Sequence, residues 1–200
     1  MSKLNDNKER FIGIYQKYIT RPGAEKLLNY LMSDNSDFFK APASTRYHCS
    51  FEGGLCEHSL NVYDCLKGYL ERERAVNDYG LSYPEESIAV VALLHDVCKV
   101  NLYRVSYRNR KSEETGQWEK VPYYEVHDTL PYGHGEKSVY IVSSYMRLTR
   151  EEAMAIRWHM GFSGEENENT IGKALSMYPL ALAVHIADME ATFYLENGSK

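Results

Sequence analysis

The chain of 200 residues is 44% hydrophobic, enough to bury one sizeable core, and its 23 basic and 28 acidic side chains give a formal charge of -5. That balance excludes a general footing for long nucleic acid or an anionic membrane, so phosphate must be bound locally if it is bound at all. No run approaches the roughly 20 apolar residues of a bilayer-spanning helix. The opening MSKLNDNKERF lacks the apolar stretch of a signal peptide, and a cytoplasmic protein without membrane contact is expected.

Residues 1–200 read as a single, mostly helical domain carrying a short β-hairpin insertion. An N-terminal helical layer covers 1–40, a core covers 41–190, and a polar, Tyr-rich insert covers about 101–132. Helices are expected near 5–19 and 23–33, with Pro22 and Gly23 between them. From Leu55 the positions His58, Val62, Leu66 and Tyr69 share one helical stripe, which turns His58 inward. A loop with Gly80 and Pro84 leads to ESIAVVALLHDVCK, apolar on nearly every side as a surrounded helix must be. The weak alternation of LYRVSYRNRKSEETGQWEKVPYYEV, with Gly116 near its middle, predicts the hairpin. Further helices are expected over 136–147, from a capping box at Thr149 and Glu152 to a stop near Gly161, and from Pro179 to about Tyr194.

Asp96 and Asp188 each fall within an otherwise apolar helix, where burying a lone carboxylate costs several kcal/mol. Asp188 has no lysine or arginine one turn away, whereas histidines recur beside apolar runs at His58, His95, His134, His159 and His185. A shared divalent cation satisfies such groups together. Successive helical residues point roughly 100° apart, so His95 and Asp96 are expected to reach one ion, or two, off a common helix edge. Lys99 lies one turn on, on the same edge, placed to stabilise charge on a phosphate oxygen. Cys49, Cys56, Cys65 and Cys98 have no paired spacing and read as buried thiols.

The ordered set H…HD…H…H…D resembles the HD-domain superfamily of metal-dependent phosphohydrolases over roughly Ala41 to Glu190. APASTRYHCSFEGGLCEHSL is similar to the leading segment of HD domains related to bacterial 3′-5′ exoribonucleases, and VVALLHDVCKV to the LLHDIGK signature, with Cys98 in place of glycine. GHGEKS matches the family's GH segment at His134, and IRWHMGF its HHG segment at His159, with Met160 in place of the second histidine. The resemblance implies an HD fold whose metal ligands are His58, His95, Asp96 and Asp188, with His134 and His159 completing a second ion and Asp96 bridging both. One or two divalent ions are implied, and the donor mixture suits manganese, iron, cobalt, nickel or zinc. The implied reaction is hydrolysis of a small phosphorylated substrate, a nucleotide or short oligonucleotide, by metal-activated water, with Asp96 and Lys99 as catalytic residues. Lys99, Lys137 and His48 are the candidate substrate contacts, Lys137 because it follows Gly133 and Gly135 at a helix N-terminus.

Two other functions remain open at this point: a dinuclear-iron oxygenase built on the same six ligands, and a non-catalytic nucleotide-binding module. A lone inward histidine is ordinarily a hydrogen-bonded core residue, and His185 could equally orient Asp188 or simply fill space. Tyr103, Tyr107, Trp118, Tyr123, Tyr124 and Tyr132 could stack on a base, but cross-strand packing explains them more simply. Arg104, Arg108, Arg110 and Lys111 read as a solvated hairpin tip.

Overall fold

A computed structural model describes residues 3–163 and 167–196. Helix α1 (Lys3–Tyr18) buries Phe11 and Tyr15, and α2 (Ala24–Met32) buries Ala24, Leu27, Leu28 and Leu31 on one stripe. The chain reverses between them at Gly23, whose φ of 93° is cheap only for glycine. Helix α3 (Gly54–Leu70) turns His58, Val62 and Leu66 inward as its spacing predicts. The loop expected before the central helix holds a five-residue helix, α4 (Glu73–Asn77). Helix α5 (Glu85–Leu94) is buried at every position from Ile88 to Leu94.

Helix α5 ends sooner than its apolar run suggests. His95 is its C-cap, Asp96 adopts φ -106° and ψ 15°, and a 3-10 turn spans Val97–Lys99. His95, Asp96 and Lys99 therefore sit on an unwinding terminus, not along one helix edge.

Strands β1 (Tyr103–Lys111) and β2 (Trp118–Val126) pair antiparallel from Tyr103↔Val126 to Lys111↔Trp118, with Gly116 at φ 67° in the connecting turn. Helix α6 (His134–Ser143) begins at His134 itself, two residues before the expected start. Helix α7 (Arg150–Trp158) opens on the predicted capping box, in which Thr149 accepts from the Glu152 backbone and Glu152 from that of Thr149. Helix α8 (Glu168–Met177), capped by Asn167, was not foreseen. Helix α9 (Pro179–Glu190) has proline in its first turn and continues as a π-helical turn, Ala191–Leu195.

Helices α3, α5, α7 and α9 close a ring, each packed on the next, with α1 outside α3 and α5, α6 against α7, and α8 against α7 and α9. One buried cluster runs from Phe11 to Ala191 through this ring. Helix α6 comes so close to α7 that a Cβ on Gly135 would lie 2.2 Å from the Arg157 carbonyl oxygen. No single helix among the described residues is long and apolar enough to cross a membrane.

A buried ionic clamp ties the α1–α2 turn to the ring. Arg21 donates through both terminal nitrogens to Glu152, at 2.6 and 2.8 Å, and Ser87 of α5 donates to the same carboxylate at 2.7 Å. Glu152 is fully buried, so every oxygen lone pair it offers must be met by protein.

Candidate metal centre

The ring brings polar groups inward from each of its helices: His58 from α3, His95 and Asp96 just past the end of α5, His159 from the end of α7 and Asp188 from α9. His134 joins them from the start of α6. His58, His95, Asp96 and His159 are at most 2% exposed.

Local folding explains how the imidazoles are aimed. His95 and His159 are the C-caps of α5 and α7, and each ring donates Nδ1–H to the carbonyl three residues back, Ala92 at 2.8 Å and Ile156 at 2.7 Å. Those carbonyls are orphans of a helix end, so capping and tautomer choice are one event. His58 directs Nδ1 to the carboxylate of Glu196, 3.0 and 3.1 Å from its two oxygens. In all three rings Nδ1 is occupied and Nε2 faces inward.

These ring nitrogens crowd one another and the two carboxylates. His58 Nε2 lies 3.2 Å from His95 Nε2, 3.2 Å from Asp188 Oδ1 and 3.6 Å from Asp96 Oδ2. His159 Nε2 lies 3.5 Å from Asp96 Oδ1. Among the described residues Asp96 Oδ1 and His159 Nε2 are buried without a hydrogen-bond partner of good geometry, though His134 Nε2 comes within 2.9 Å of Asp96 Oδ1. Such acceptors converge stably only around positive charge, and the donor set of nitrogen and carboxylate oxygen is one that divalent cations take. Four overlapping groups among the described residues, His48–His58–Glu196, His58–His95–Asp188, His95–Asp96–His159 and Asp96–Cys98–His134, could each hold an ion.

The protonation states follow the same logic. Burial opposes charge on His58, but hydrogen bonds to Asp188 and Glu196 outweigh it and push the imidazole up to about 10. Burial likewise opposes charge on Asp96, yet Lys99 and the surrounding imidazoles hold that carboxyl well below the ordinary range, as His58 does for Asp188. Lys99, with Nζ 2.5 Å from Asp96 Oδ2, is 9% exposed and stays charged because Asp96 outweighs its burial.

The cluster opens into a cavity of about 380 Å³ whose wall includes Asp96, Lys99, Asp188, His48 and Tyr103. His48 is half-buried, its ring is 4.8 Å from that of His58, and its Nε2 has no hydrogen-bond partner. Burial, reinforced by the charges of His58 and Lys99, pushes His48 down to about 4, so it is neutral at pH 7.

One sequence expectation changes here and one open reading is decided. Lys137 does not line the cavity; the residue is 7% exposed and its ammonium is bound to Asp128 at 2.6 Å. His185 orients no carboxylate: its Nδ1 donates to the His159 carbonyl at 2.8 Å, and its ring fills the space over Gly161, where a Cβ would fall 2.5 Å away.

Glu196 was missed altogether. It is 8% exposed, receives Asn61 Nδ2 at 2.9 Å as well as His58, and fixes the His58 ring. Glu196→Ala is expected to weaken divalent-ion binding about 10–100-fold, the ordinary cost of losing a ligand's orienting partner. Calorimetric titration of the metal-free protein checks this, and undiminished affinity would show that His58 is held by packing alone.

No protein-family model matches this chain, and neither a curated protein nor a solved structure matches it.

Proposed function

We propose that the chain is a metal-dependent phosphohydrolase of the HD-domain type, cleaving a phosphomonoester or phosphodiester of a nucleotide or short oligonucleotide. The observation that carries this reading is the inward convergence of the His58, His95 and His159 Nε2 atoms on Asp96 and Asp188, with the Lys99 ammonium at the same cavity wall. Asp96 turns Oδ2 toward His58, His95 and Lys99 and Oδ1 toward His134 and His159, an arrangement that suits a carboxylate shared between two ions.

Divalent ions held there supply Lewis acidity toward a phosphoryl oxygen and an acidified water. The chain's own groups do the rest. Lys99 cannot accept a proton near neutral pH, because Asp96 holds it charged, so it acts as a fixed positive charge for a phosphoryl oxygen. His48, neutral at pH 7, contributes its ring to the cavity wall beside His58. Burial of the cluster limits water around it, which strengthens each of these interactions.

The test is elemental analysis of the purified protein followed by a screen of phosphodiester and phosphomonoester reporters and nucleotides against manganese, iron, cobalt, nickel and zinc. Hydrolysis that disappears with a chelator and returns with one of these metals is expected. Oxygen consumption by the reduced, iron-loaded protein without phosphate-ester cleavage would replace this reading with an oxygenase, and tight nucleotide binding without turnover would replace it with a sensor.

A further inference from the structure

The hairpin does not bury its aromatic residues. Alternation along paired strands places Tyr103, Val105, Tyr107, Asn109 and Lys111 of β1 on the same face as Val126, Tyr124, Pro122, Lys120 and Trp118 of β2. Two contacts fix the faces: Tyr103 and Tyr124 meet edge to face at 6.4 Å on this side, and Arg108 lies 5.4 Å over Tyr123 on the other. Cross-strand packing accounts for Tyr103 and Tyr124. It does not account for Tyr107 at 65% exposure or Trp118 at 73%.

Tyr103 and Val126 on this same face line the candidate metal cavity, so the face is an outward continuation of the cavity wall. It extends about 27 Å from Tyr103 to Lys111 at roughly 3.4 Å per residue. Along it the rings are separated by cations: Lys120 falls between Pro122 and Trp118, and Lys111 is directly opposite Trp118. Strand β1 gives this face Lys111 and no carboxylate, while Arg104, Arg108 and Arg110 lie on the opposite face, where Glu125 and Glu119 stand across from Arg104 and Arg110. At the cavity rim Arg46 stacks 5.2 Å over Tyr47, which is 72% exposed and lines the cavity, repeating the pairing of ring and cation.

Exposed rings interspersed with the ammonium groups of Lys111 and Lys120, with the Arg46 guanidinium at the rim, match single-stranded nucleic acid, whose bases present a π-face and whose backbone presents an anion at every step. A self-association surface would have no use for charges of one sign between its rings. We propose that this face of the hairpin is a stacking platform for a single-stranded oligonucleotide, which it feeds from the tip toward the cavity so that a terminal phosphodiester reaches Lys99 and Asp96. The proposal rests on the phosphohydrolase reading for what happens in the cavity, but the platform itself is a binding surface that needs no metal. It narrows the substrate from any nucleotide to a strand several nucleotides long.

The experiment measures fluorescence anisotropy of fluorescein-labelled oligo(U) and oligo(dT) of 2, about 6 and about 12 nucleotides with the full chain in EDTA. Binding is expected to tighten with length, and Y107A/W118A to weaken the longest strands by about tenfold or more per ring removed while leaving dinucleotide binding unchanged. K111A/K120A is expected to flatten the salt dependence by about one phosphate contact per lysine. Hydrolysis of bis(4-nitrophenyl) phosphate by the metal-loaded protein should be equal in wild type and Y107A/W118A, since neither ring touches the cavity. If strands of all lengths bind alike, or wild type and Y107A/W118A bind alike, the platform is wrong while reporter hydrolysis still stands. If the reporter is inert with every metal but length-dependent binding persists, the hydrolase reading fails and the platform survives. Dimerisation in sedimentation that Y107A/W118A abolishes, with no strand binding, would reassign the face to a second copy of this chain.

Discussion

Asp96→Asn is expected to reduce bound divalent metal from near-stoichiometric to background and to take hydrolysis with it, by far more than the roughly 10–100-fold expected of an orienting partner. Among the described residues Asp96 alone lies within 3.6 Å of four imidazoles and an ammonium, through one oxygen or the other. Replacing one oxygen with an amide puts N–H groups among lone pairs that are arranged for a cation. The substitution also leaves Lys99, 9% exposed, without its counter-charge, and breaking a buried pair costs about 3–5 kcal/mol. Asp188→Asn separates the two effects, because Asp188 pairs with His58 and with no lysine or arginine. Both variants should lose metal, but Asp96→Asn should be the less stable when metal-free.

Wild-type protein at a metal concentration near 1,000 times its Kd gains about 4 kcal/mol, a rise in melting temperature on the order of 10 °C for a chain of this size. Neither variant should show that rise in scanning calorimetry. A pH signature accompanies it. In the metal-free protein the raised His58 pKa contributes stability that is fully present below about 6.5 and is lost as pH climbs through about 10. A cation displaces that proton, so the alkaline loss should vanish in the metal-loaded state, and binding at pH 7 should release about one proton, seen as buffer-dependent heat. Full metal content and turnover in Asp96→Asn would falsify the candidate centre.

The His/Asp cluster was legible because its members violate their surroundings. A histidine or aspartate in an apolar helix must be answered by something, and His58, His95, Asp96, His159 and Asp188 are indeed brought within a few ångströms of one another. What reads poorly is anything set by a helix end. The α5 terminus unwinds at His95, so the expected shared helix edge is replaced by a 3-10 turn that still brings Lys99 to Asp96. Glu196 lies past the apolar run, in a polar tail, and reaches His58 through a π-helical turn that adds a residue to the usual repeat; periodicity gives no sign of it. Lys137 carries the right charge at a helix start, but Asp128, nine residues back across a loop, takes it. Helix α8 does carry a signal that was passed over, with Ile171, Ala174 and Leu175 on one stripe behind an Asn167 cap. The hairpin was legible as strands from its alternation, but whether its rings pack or stand free depends on a third layer that the sequence does not name.

Glu152→Ala is expected to lower stability by about 3–5 kcal/mol, or on the order of 10 °C in melting temperature, without touching the metal cluster. The single carboxylate answers donors from three parts of the chain: both terminal nitrogens of Arg21 in the α1–α2 turn, Ser87 in α5 and the Thr149 backbone at the start of α7. Its removal strands the Arg21 guanidinium, whose side chain is only 15% exposed, and opens half of the capping box. Glu86, which also faces Arg21 and accepts from its backbone, is too exposed to replace the lost charge in full. Arg21→Ala should cost a comparable amount, and the double variant less than the sum, because either single change already destroys the pair. The acid limb gives a second reading. Arg21, with help from Thr149 and Ser87, outweighs burial and holds Glu152 below the ordinary carboxylate value, so its contribution is present above about pH 4.3 and is lost as pH falls through the depressed native value. The gap between wild type and Glu152→Ala in denaturant titrations should therefore be constant near neutrality and narrow under acid. A gap that stays fixed down to pH 2 would assign the loss to packing of α7 rather than to the ionic clamp.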